Sequence, residues 1–97
     1  MIPVKRIEIV IGARHSERVT RLLESHGIEG WTLVRDAAGR GERGTQFGDE
    51  LTGVSSNHWI LTTCPLERLD ELVEPLRSLL GRYGGVCLVS DAQWLLH

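Results

Sequence analysis

The feature that most constrains this fold is the order in which two hydrophobic periodicities alternate along the 97-residue chain. The segment Val4–Ile11 alternates, with Ile7, Ile9 and Ile11 on one face and Arg6, Glu8 and Val10 on the other, which predicts a half-buried strand that ends at Gly12. From Ser16 the apolar residues recur at helical spacing, which predicts a helix with Ser16 as its N-cap and Gly27 as its stop. The chain therefore begins with a strand followed by a helix.

The rest of the chain repeats this alternation after a glycine-rich interruption. The remaining elements, in chain order, are strand two over Gly30–Asp36, strand three over Ser56–Thr63, helix two from about Pro65 and strand four over Val86–Ser90. Pro75 lies within the apolar stripe of helix two, so we expect a kink there or a break into two short helices. Residues 91–97 are expected to form a short tail with at most one helical turn.

The order β-α-β-loop-β-α-β indicates a ferredoxin-like α+β fold, with a four-stranded antiparallel sheet and both helices on one face. An apolar fraction of 41% and a charged fraction of 25% are ordinary for a globular protein, and the length suits one domain over residues 1–97. Fold class alone does not identify a function.

The second face of this sheet is also expected to carry apolar residues. With Ile7, Ile9 and Ile11 turned toward the helices, the other face would hold Val10, Ile60 and either Val86 with Leu88 or Cys87 with Val89. A sheet that faced water on that side would alternate more cleanly. We therefore expect copies of the chain to cover this face in a closed homo-oligomer.

The charge balance and the absence of long apolar stretches limit the partners of the chain. Eleven basic and 13 acidic residues give a net charge of −2, which provides no general attraction to nucleic acid or anionic lipid. Neither a membrane span nor an export signal is evident, so a cytoplasmic protein is expected. Cys64 and Cys87 do not have CxxC spacing and are expected to be reduced core residues.

The segment Ala37–Val54 contains five glycines and no sustained periodicity, which predicts a long exposed loop of the kind that is usually functional. In Gly39–Gly44 (GRGERG), glycines allow backbone N–H groups to converge on an anion, and Arg40 and Arg43 can add charge-assisted hydrogen bonds. Phosphate is the obvious ligand, although the GK[ST] of a P-loop is missing. A mobile, solvated turn is the alternative interpretation.

Catalytic and metal-binding interpretations find little support in residue spacing. His58 and Cys64 are six residues, or about 20 Å, apart along a strand, which is too far for a hydrogen-bonded Cys–His pair. His15 and His26 are about 16 Å apart along a helix, so one metal ion cannot bind both. The carboxylates on or beside the loop, which have no fixed separation and are expected to be solvated, are Asp36, Glu42, Asp49 and Glu50. No catalytic residue and no metal site is predicted.

Taken together, the residues from Val4 to about Leu95 resemble the PII signal-transduction superfamily. The resemblance is carried by Ile28–Val34 (IEGWTLV), Gly39–Arg43 (GRGER) and Tyr83–Ala92 (YGGVCLVSDA). It implies a homotrimer whose long T-loop, here about residues 37–55, follows strand two. It also implies that adenine nucleotides bind in clefts between subunits and that the T-loop controls a partner protein.

Departures from the nitrogen-regulatory PII pattern indicate the PII-like branch of this superfamily. The loop is shorter, the QKG run and the B-loop sequence GDGK are absent, and the chain ends at His97 without the RxRTGE tail. These segments hold ATP phosphates and 2-oxoglutarate in the nitrogen sensors, so the resemblance implies that AMP or ADP is favoured over ATP. The absence of a C-terminal cysteine-containing loop favours a carboxysome-associated member over a bicarbonate-transporter regulator.

The resemblance also implies a set of nucleotide-binding residues. Thr32 and the backbone of Gly39 and Gly41 would line the cleft, Arg40 or Arg43 would contact phosphate, and Gly84 and Gly85 would close it. Bicarbonate would suit the same N–H-rich loop, although no residue is assigned to it.

The expected protein is a non-enzymatic sensor without a cofactor, whose partner would be a bicarbonate transporter or a carboxysome-related protein. The alternatives with the same fold are an acylphosphatase-like hydrolase, a cation-tolerance trimer, and a structural oligomer that binds no small ligand.

Overall fold

The structure, a computed structural model, describes residues 1–38 and 56–97. Its elements are β1 (Ile2–Gly12), α1 (Ser16–Ser25), β2 (Trp31–Ala37), β3 (Asn57–Cys64), α2 (Leu69–Tyr83) and β4 (Val86–Trp94), with short 3-10 turns over Ala13–His15 and Leu66–Arg68. All neighbouring strands are antiparallel, in the order β2-β3-β1-β4. This confirms the predicted ferredoxin-like fold; the predicted loop from 37 to about 55 lies almost entirely outside the described residues.

The core lies between the sheet and the two helices. Its fully buried members are Ile7, Ile9, Ile11, Val19, Leu23, Ile60, Cys64 and Leu72. Ile60 pairs directly with Ile9, and residues directly opposite each other in a ladder share a face of the sheet. The prediction that Ile60 lies on the second face is therefore wrong, because the register of β3 against β1 was not determined by the alternation within β3 alone.

The second face of the sheet is apolar, as expected, and the register of β4 decides which residues it carries. Val86 pairs with Val10 and Leu88 with Glu8, whereas Cys87 pairs with Ile9 on the core face. Val86 and Leu88 are 61% and 63% exposed. We call this surface the open face; its apolar members are Ile2, Val4, Val10, Val34, Trp59, Leu61, Val86, Leu88, Ala92 and Trp94.

Strand β4 is longer than predicted and continues to Trp94. Asp91 pairs with Lys5 in the ladder and also through an ion pair, and Trp94 pairs with Ile2. The expected helical turn in residues 91–97 is therefore wrong, because β1 extends to Ile2 and offers backbone partners as far as Trp94.

Helix α2 runs through Pro75 as one helix from Leu69 to Tyr83. Proline removes one backbone N–H donor from the helix interior, but Leu72, Leu76 and Leu80 keep the helix packed on the sheet on both sides of it. Of the two expected outcomes, a kink or a break, the break into two short helices is wrong, since tertiary packing outweighs the local cost.

The start of α1 also differs from the prediction. The N-cap residue is His15, which makes no side-chain cap hydrogen bond, and Ser16 is the buried first residue of the helix. Ser16 Oγ donates to the carbonyl oxygen of Ala13 at 3.0 Å. The N-cap prediction for Ser16 is wrong because a 3-10 turn precedes the helix and moves its start. Gly27, in contrast, follows α1 with a positive φ of 79°, as a helix stop does.

Arg68 joins the end of α1 to the start of α2. Its Nε and Nη2 donate to Glu71 Oε1 at 2.9 and 2.7 Å, and Nη2 also donates to the carbonyl oxygen of His26. The hydrogen bonds from Arg68 hold the pKa of Glu71 below its ordinary value of 4.5. One guanidinium thus satisfies both a helix C-terminal carbonyl and a carboxylate.

We expect Arg68→Gln to lower the free energy of unfolding at neutral pH. The folded-state pKa of Glu71 is depressed, so its contribution is present above the unfolded value of about 4.5 and is lost as pH falls through the lower folded value. The stability gap between wild type and variant should therefore narrow in acid, as measured by urea unfolding between about pH 7 and pH 3. Arg77→Gln, which removes a surface pair with Glu74 only, is the control. A gap that stays constant over this range would contradict the assignment.

Gly85 follows α2 in a tight turn that a side chain would disrupt. Its φ is +128°, and a Cβ atom there would lie 2.9 Å from both Leu80 Cδ2 and the Val10 carbonyl oxygen. Gly81, within α2, has no heavy atom within 4 Å of such a Cβ. The backbone of the α2–β4 turn therefore lies directly against β1.

We expect Gly85→Ala to destabilise the protein by about 1–3 kcal/mol, because alanine meets both a strained φ and a steric clash. Gly81→Ala, the control, should instead stabilise it by about 0.5–1 kcal/mol, since glycine weakens a helix interior. Chemical unfolding followed by circular dichroism measures both. Equal effects of the two substitutions would show that the turn tolerates a side chain.

Candidate functional site

The structure describes three of the seven residues predicted to bind nucleotide. Thr32 is exposed on β2, where it pairs with Leu61 on the open-face side of the sheet. Gly84 and Gly85 form the turn between α2 and β4. The other four, Gly39, Arg40, Gly41 and Arg43, lie outside the described residues. The assignment of all seven stays a prediction.

Within one chain the two described parts of this site lie at opposite edges of the sheet. Thr32 is on edge strand β2 and Gly85 leads into edge strand β4, with β3 and β1 between them. Three strand spacings separate the edges by about 14 Å. One subunit therefore does not bring these residues together, and a site that contains both needs a second copy of the chain.

The two parts nevertheless lie at the same end of the sheet. Val34 pairs with Trp59, which pairs with Val10, which pairs with Val86, so one row crosses all four strands. The end of β2, where the loop begins, is thus level with the start of β4. Joining two copies edge to edge can place a loop base beside an α2–β4 turn.

The turn between β1 and α1 holds the strand that follows the loop. The Ala13 N–H donates to the carbonyl oxygen of Ser56 at 2.8 Å, and Ser16 Oγ lies 2.8 Å from His58 Nδ1. With the Ser16 hydroxyl proton on the Ala13 carbonyl oxygen, the second contact requires the His58 tautomer that carries its proton on Nδ1. The contact holds the His58 ring against the start of α1.

Sequence spacing offered no sign of this Ser16–His58 contact, because the two residues are 42 positions apart. Only the pairing of Ile11 with His58 brings the start of α1 and the start of β3 together. The contact fixes the position of the chain at the point where it leaves the loop.

Tyr83, the last residue of α2, is the centre of a cluster of cations. The guanidinium carbon of Arg18 lies 4.3 Å from the ring centroid and that of Arg82 lies 5.3 Å from it. The ring of His15 is tilted by 31° against the tyrosine ring at 4.6 Å. Sequence reasoning missed this cluster; the adjacency of Arg82 and Tyr83 to the predicted glycines was the one available signal.

The two cysteines have the character of core residues. Both are free thiols, with Cys64 buried and Cys87 half-buried. Burial raises the pKa of the Cys64 thiol and that of the Cys87 thiol, which keeps both protonated and weakly nucleophilic.

Neither a metal cluster nor a membrane-spanning segment is found in the parts of the chain that the structure describes. Residues 1–38 and 56–97 contain no group of three or more histidine, cysteine or carboxylate side chains placed to hold a metal ion. No helix in these two ranges has the length and apolar character needed to cross a membrane.

Comparison with known proteins gives the family of the chain. Residues 4–95 match the family model of nitrogen regulatory protein P-II. Among functionally curated proteins, none gives a significant match.

Solved structures match the chain along nearly its whole length. CPII, a nitrogen regulatory PII-like protein from Thiomonas intermedia K12 bound to ADP, AMP and bicarbonate, has 28% identity and a TM-score of 0.78, with 95% of this chain and 94% of CPII covered. CPII bound to ADP and bicarbonate gives 29% identity and a TM-score of 0.80, covering 95% and 88%.

A third structure, described as a PII-like signaling protein from Thermus thermophilus, has 21% identity and a TM-score of 0.74, covers 97% and 91% of the two chains, and supports the fold alone. The family match over residues 4–95 and the two CPII matches, on the described βαββαβ fold, confirm the resemblance found in the sequence. The chain belongs to the nitrogen regulatory protein P-II family and, within it, to the PII-like branch.

Proposed function

We propose that this protein is a regulatory sensor that binds adenine nucleotides and bicarbonate in clefts between the subunits of a homotrimer. The observation that carries the proposal is the placement of the loop base and the α2–β4 turn at one end of the sheet but at opposite edges. Each subunit thus offers one half of a cleft at each edge of its sheet. In a closed ring of three copies, the loop base of each subunit meets the α2–β4 turn of its neighbour, which gives three clefts.

The ligands are proposed from the relatives in the same branch. CPII binds ADP, AMP and bicarbonate in a solved complex, and the alignment covers 95% of this chain and 94% of CPII. We therefore favour AMP and ADP over ATP. Bicarbonate is the second ligand, beside the nucleotide at the N–H-rich start of the loop.

The proposed nucleotide site combines residues from both edges of the sheet. Thr32 and the backbone of Gly39 and Gly41 line the cleft on one side, and Gly84 and Gly85 close it on the other. Arg40 or Arg43 supplies the charge that a phosphate requires. The glycine at position 85 is required by its own turn, because a Cβ atom there would meet Leu80 and the Val10 carbonyl oxygen.

Signalling follows from a difference in ligand affinity between two states of the T-loop, residues 37–55. A ligand that binds one loop state more tightly shifts the population toward it, and a partner protein recognises that state. The contacts of Ala13 and Ser16 with residues 56 and 58 hold the end of the loop in place. Conformational change is thereby confined to the loop itself.

The remaining parts of the proposal concern assembly and cellular role. The apolar open face is the surface that three copies of this single-domain chain bury against one another. The proposed partner is a bicarbonate transporter or a carboxysome-related protein, and the proposed location is the cytoplasm. The protein acts by binding rather than by catalysis.

Titration calorimetry with AMP, ADP and ATP, with and without bicarbonate, tests the proposal. We expect AMP or ADP to bind more tightly than ATP, and bicarbonate to change the nucleotide affinity. Arg43→Ala should weaken a phosphate-bearing ligand by roughly 1.5–3 kcal/mol, the value of a hydrogen bond to a charged group. Arg77→Ala, on the outer surface of α2, is the matched control.

The two measurements test the sensor function and the role of Arg43 separately. Absence of binding by all three nucleotides would contradict the sensor function. Equal affinities of Arg43→Ala and wild type would remove Arg43 from the site and leave Arg40 as the phosphate contact.

A further inference from the structure

We propose that Arg6 and Glu8, an ion pair on the open face, meet their own copies at the three-fold axis of the assembly and form there a closed ring of alternating charges shared by three subunits. This inference rests on the proposed homotrimer and gives a role to a charged pair on a largely apolar surface. Arg6 Nη2 donates to Glu8 Oε1. The two residues are two positions apart on β1, so their side chains project from the same side of the sheet.

Glu8 lies among apolar side chains that need a cover. It pairs with Leu61 of β3 and with Leu88 of β4, so the three residues form one row on the open face. Residues directly opposite each other in an antiparallel ladder are about 5 Å apart. A copy that covers both leucines therefore removes water from the carboxylate between them. A carboxylate that has lost its water must be paired.

The Glu8 carboxylate is already held in place within one subunit. Its Oε1 accepts from Arg6, and its Oε2 accepts from Trp59 Nε1 at 3.3 Å. The Glu8 side chain is 18% exposed, whereas the Arg6 side chain is 50% exposed. A guanidinium has five N–H donors, so Arg6 can bind its own Glu8 and a second carboxylate at once. Arg6 is thus the member of the pair that is presented to a neighbouring subunit.

The proposed assembly places this pair near its axis. The clefts join edge strand β2 of one subunit to edge strand β4 of the next, and the strand order is β2-β3-β1-β4. When the edges meet at the corners of a ring and the open faces turn inward, the inner strands β3 and β1 face the axis. Three Arg6–Glu8 pairs then surround the axis, where the Arg6 of each subunit meets the Glu8 of a neighbour.

A ring shared by three chains has a property that an ion pair within one chain lacks. Loss of either charge from every subunit leaves three like charges around the axis, which lose their partners and repel one another. A chain that lacks Arg6 and a chain that lacks Glu8 can, however, restore both signs of charge to a mixed trimer. Complementation between two variants therefore reports on contacts between subunits.

Sedimentation equilibrium over a dilution series, applied to Arg6→Gln, to Glu8→Gln and to their equimolar mixture, tests the proposal. Glutamine at position 8 keeps an acceptor for Trp59 Nε1, so the subunit itself should stay folded, which circular dichroism checks. We expect each variant alone to dissociate at a concentration about tenfold or more above that of wild type. We expect the mixture to reassociate into mixed trimers, which native mass spectrometry identifies.

Arg21→Gln and Glu17→Gln are the matched controls, because each breaks an exposed ion pair on α1 with the same change of charge. Both should assemble as tightly as wild type does. Weakening of the controls equal to that of the open-face variants would attribute the effect to net charge and overturn the proposal.

The other outcomes distinguish this inference from the proposed trimer. Arg6→Gln and Glu8→Gln variants that assemble as tightly as wild type would show that the pair lies away from the axis. Weakened variants whose mixture does not reassociate would show that the pair acts within each chain. Either result overturns the shared ring while the wild-type trimer stands. A wild type that sediments as a monomer contradicts the proposed homotrimer, and this inference then fails with it.

Discussion

The packing of Ile7, Ile9 and Ile11 of β1 beneath the two helices is the interaction on which the rest of the structure depends. These three side chains are at most 1% exposed, and burial of each contributes about 1.5–3 kcal/mol. β1 also pairs with both β3 and β4, so its orientation sets the orientation of most of the sheet. A shift of one residue would turn the isoleucines outward, so the register is strongly specified.

The same strand determines what the other face carries. Once Ile9 faces the helices, Val10 must face away, and its neighbours in the row are Trp59 and Val86. An apolar row that crosses the sheet on the side opposite the helices needs a cover in water. In the proposed trimer, neighbouring copies cover this row and also supply the second half of the proposed cleft. On this proposal, assembly and ligand binding both follow from one arrangement of strands.

Much of the fold could be predicted from the sequence because local periodicity reports local environment. The alternation in β1 and the helical spacing after Ser16 each describe one element, and their order along the chain limits the topology. The features that were missed depend on pairing between distant segments. The face of Ile60, the length of β4 to Trp94 and the continuity of α2 through Pro75 are all decided by tertiary neighbours.

The site was less predictable than the fold for the same reason. The glycine turn at Gly84 and Gly85 was visible in the sequence, but the cation cluster on Tyr83 needs Arg18 from another helix. The Ser16–His58 contact likewise joins two elements that only the ladder between β1 and β3 brings together. The spacing of residues within one segment does not show which distant segments come into contact. The family resemblance, in contrast, pointed to the loop after β2 and to the α2–β4 turn.

Sedimentation equilibrium at micromolar concentration tests the central claim, that copies of this chain cover the open face. For wild type we expect three times the chain mass of 10.8 kDa. For Leu88→Lys we expect a smaller mass, because a charge placed beside Glu8 is tolerated by a monomer but not by a buried interface. Ser78→Lys, on an exposed position of α2, should keep the wild-type mass. A wild-type protein that sediments as a monomer would contradict the claim.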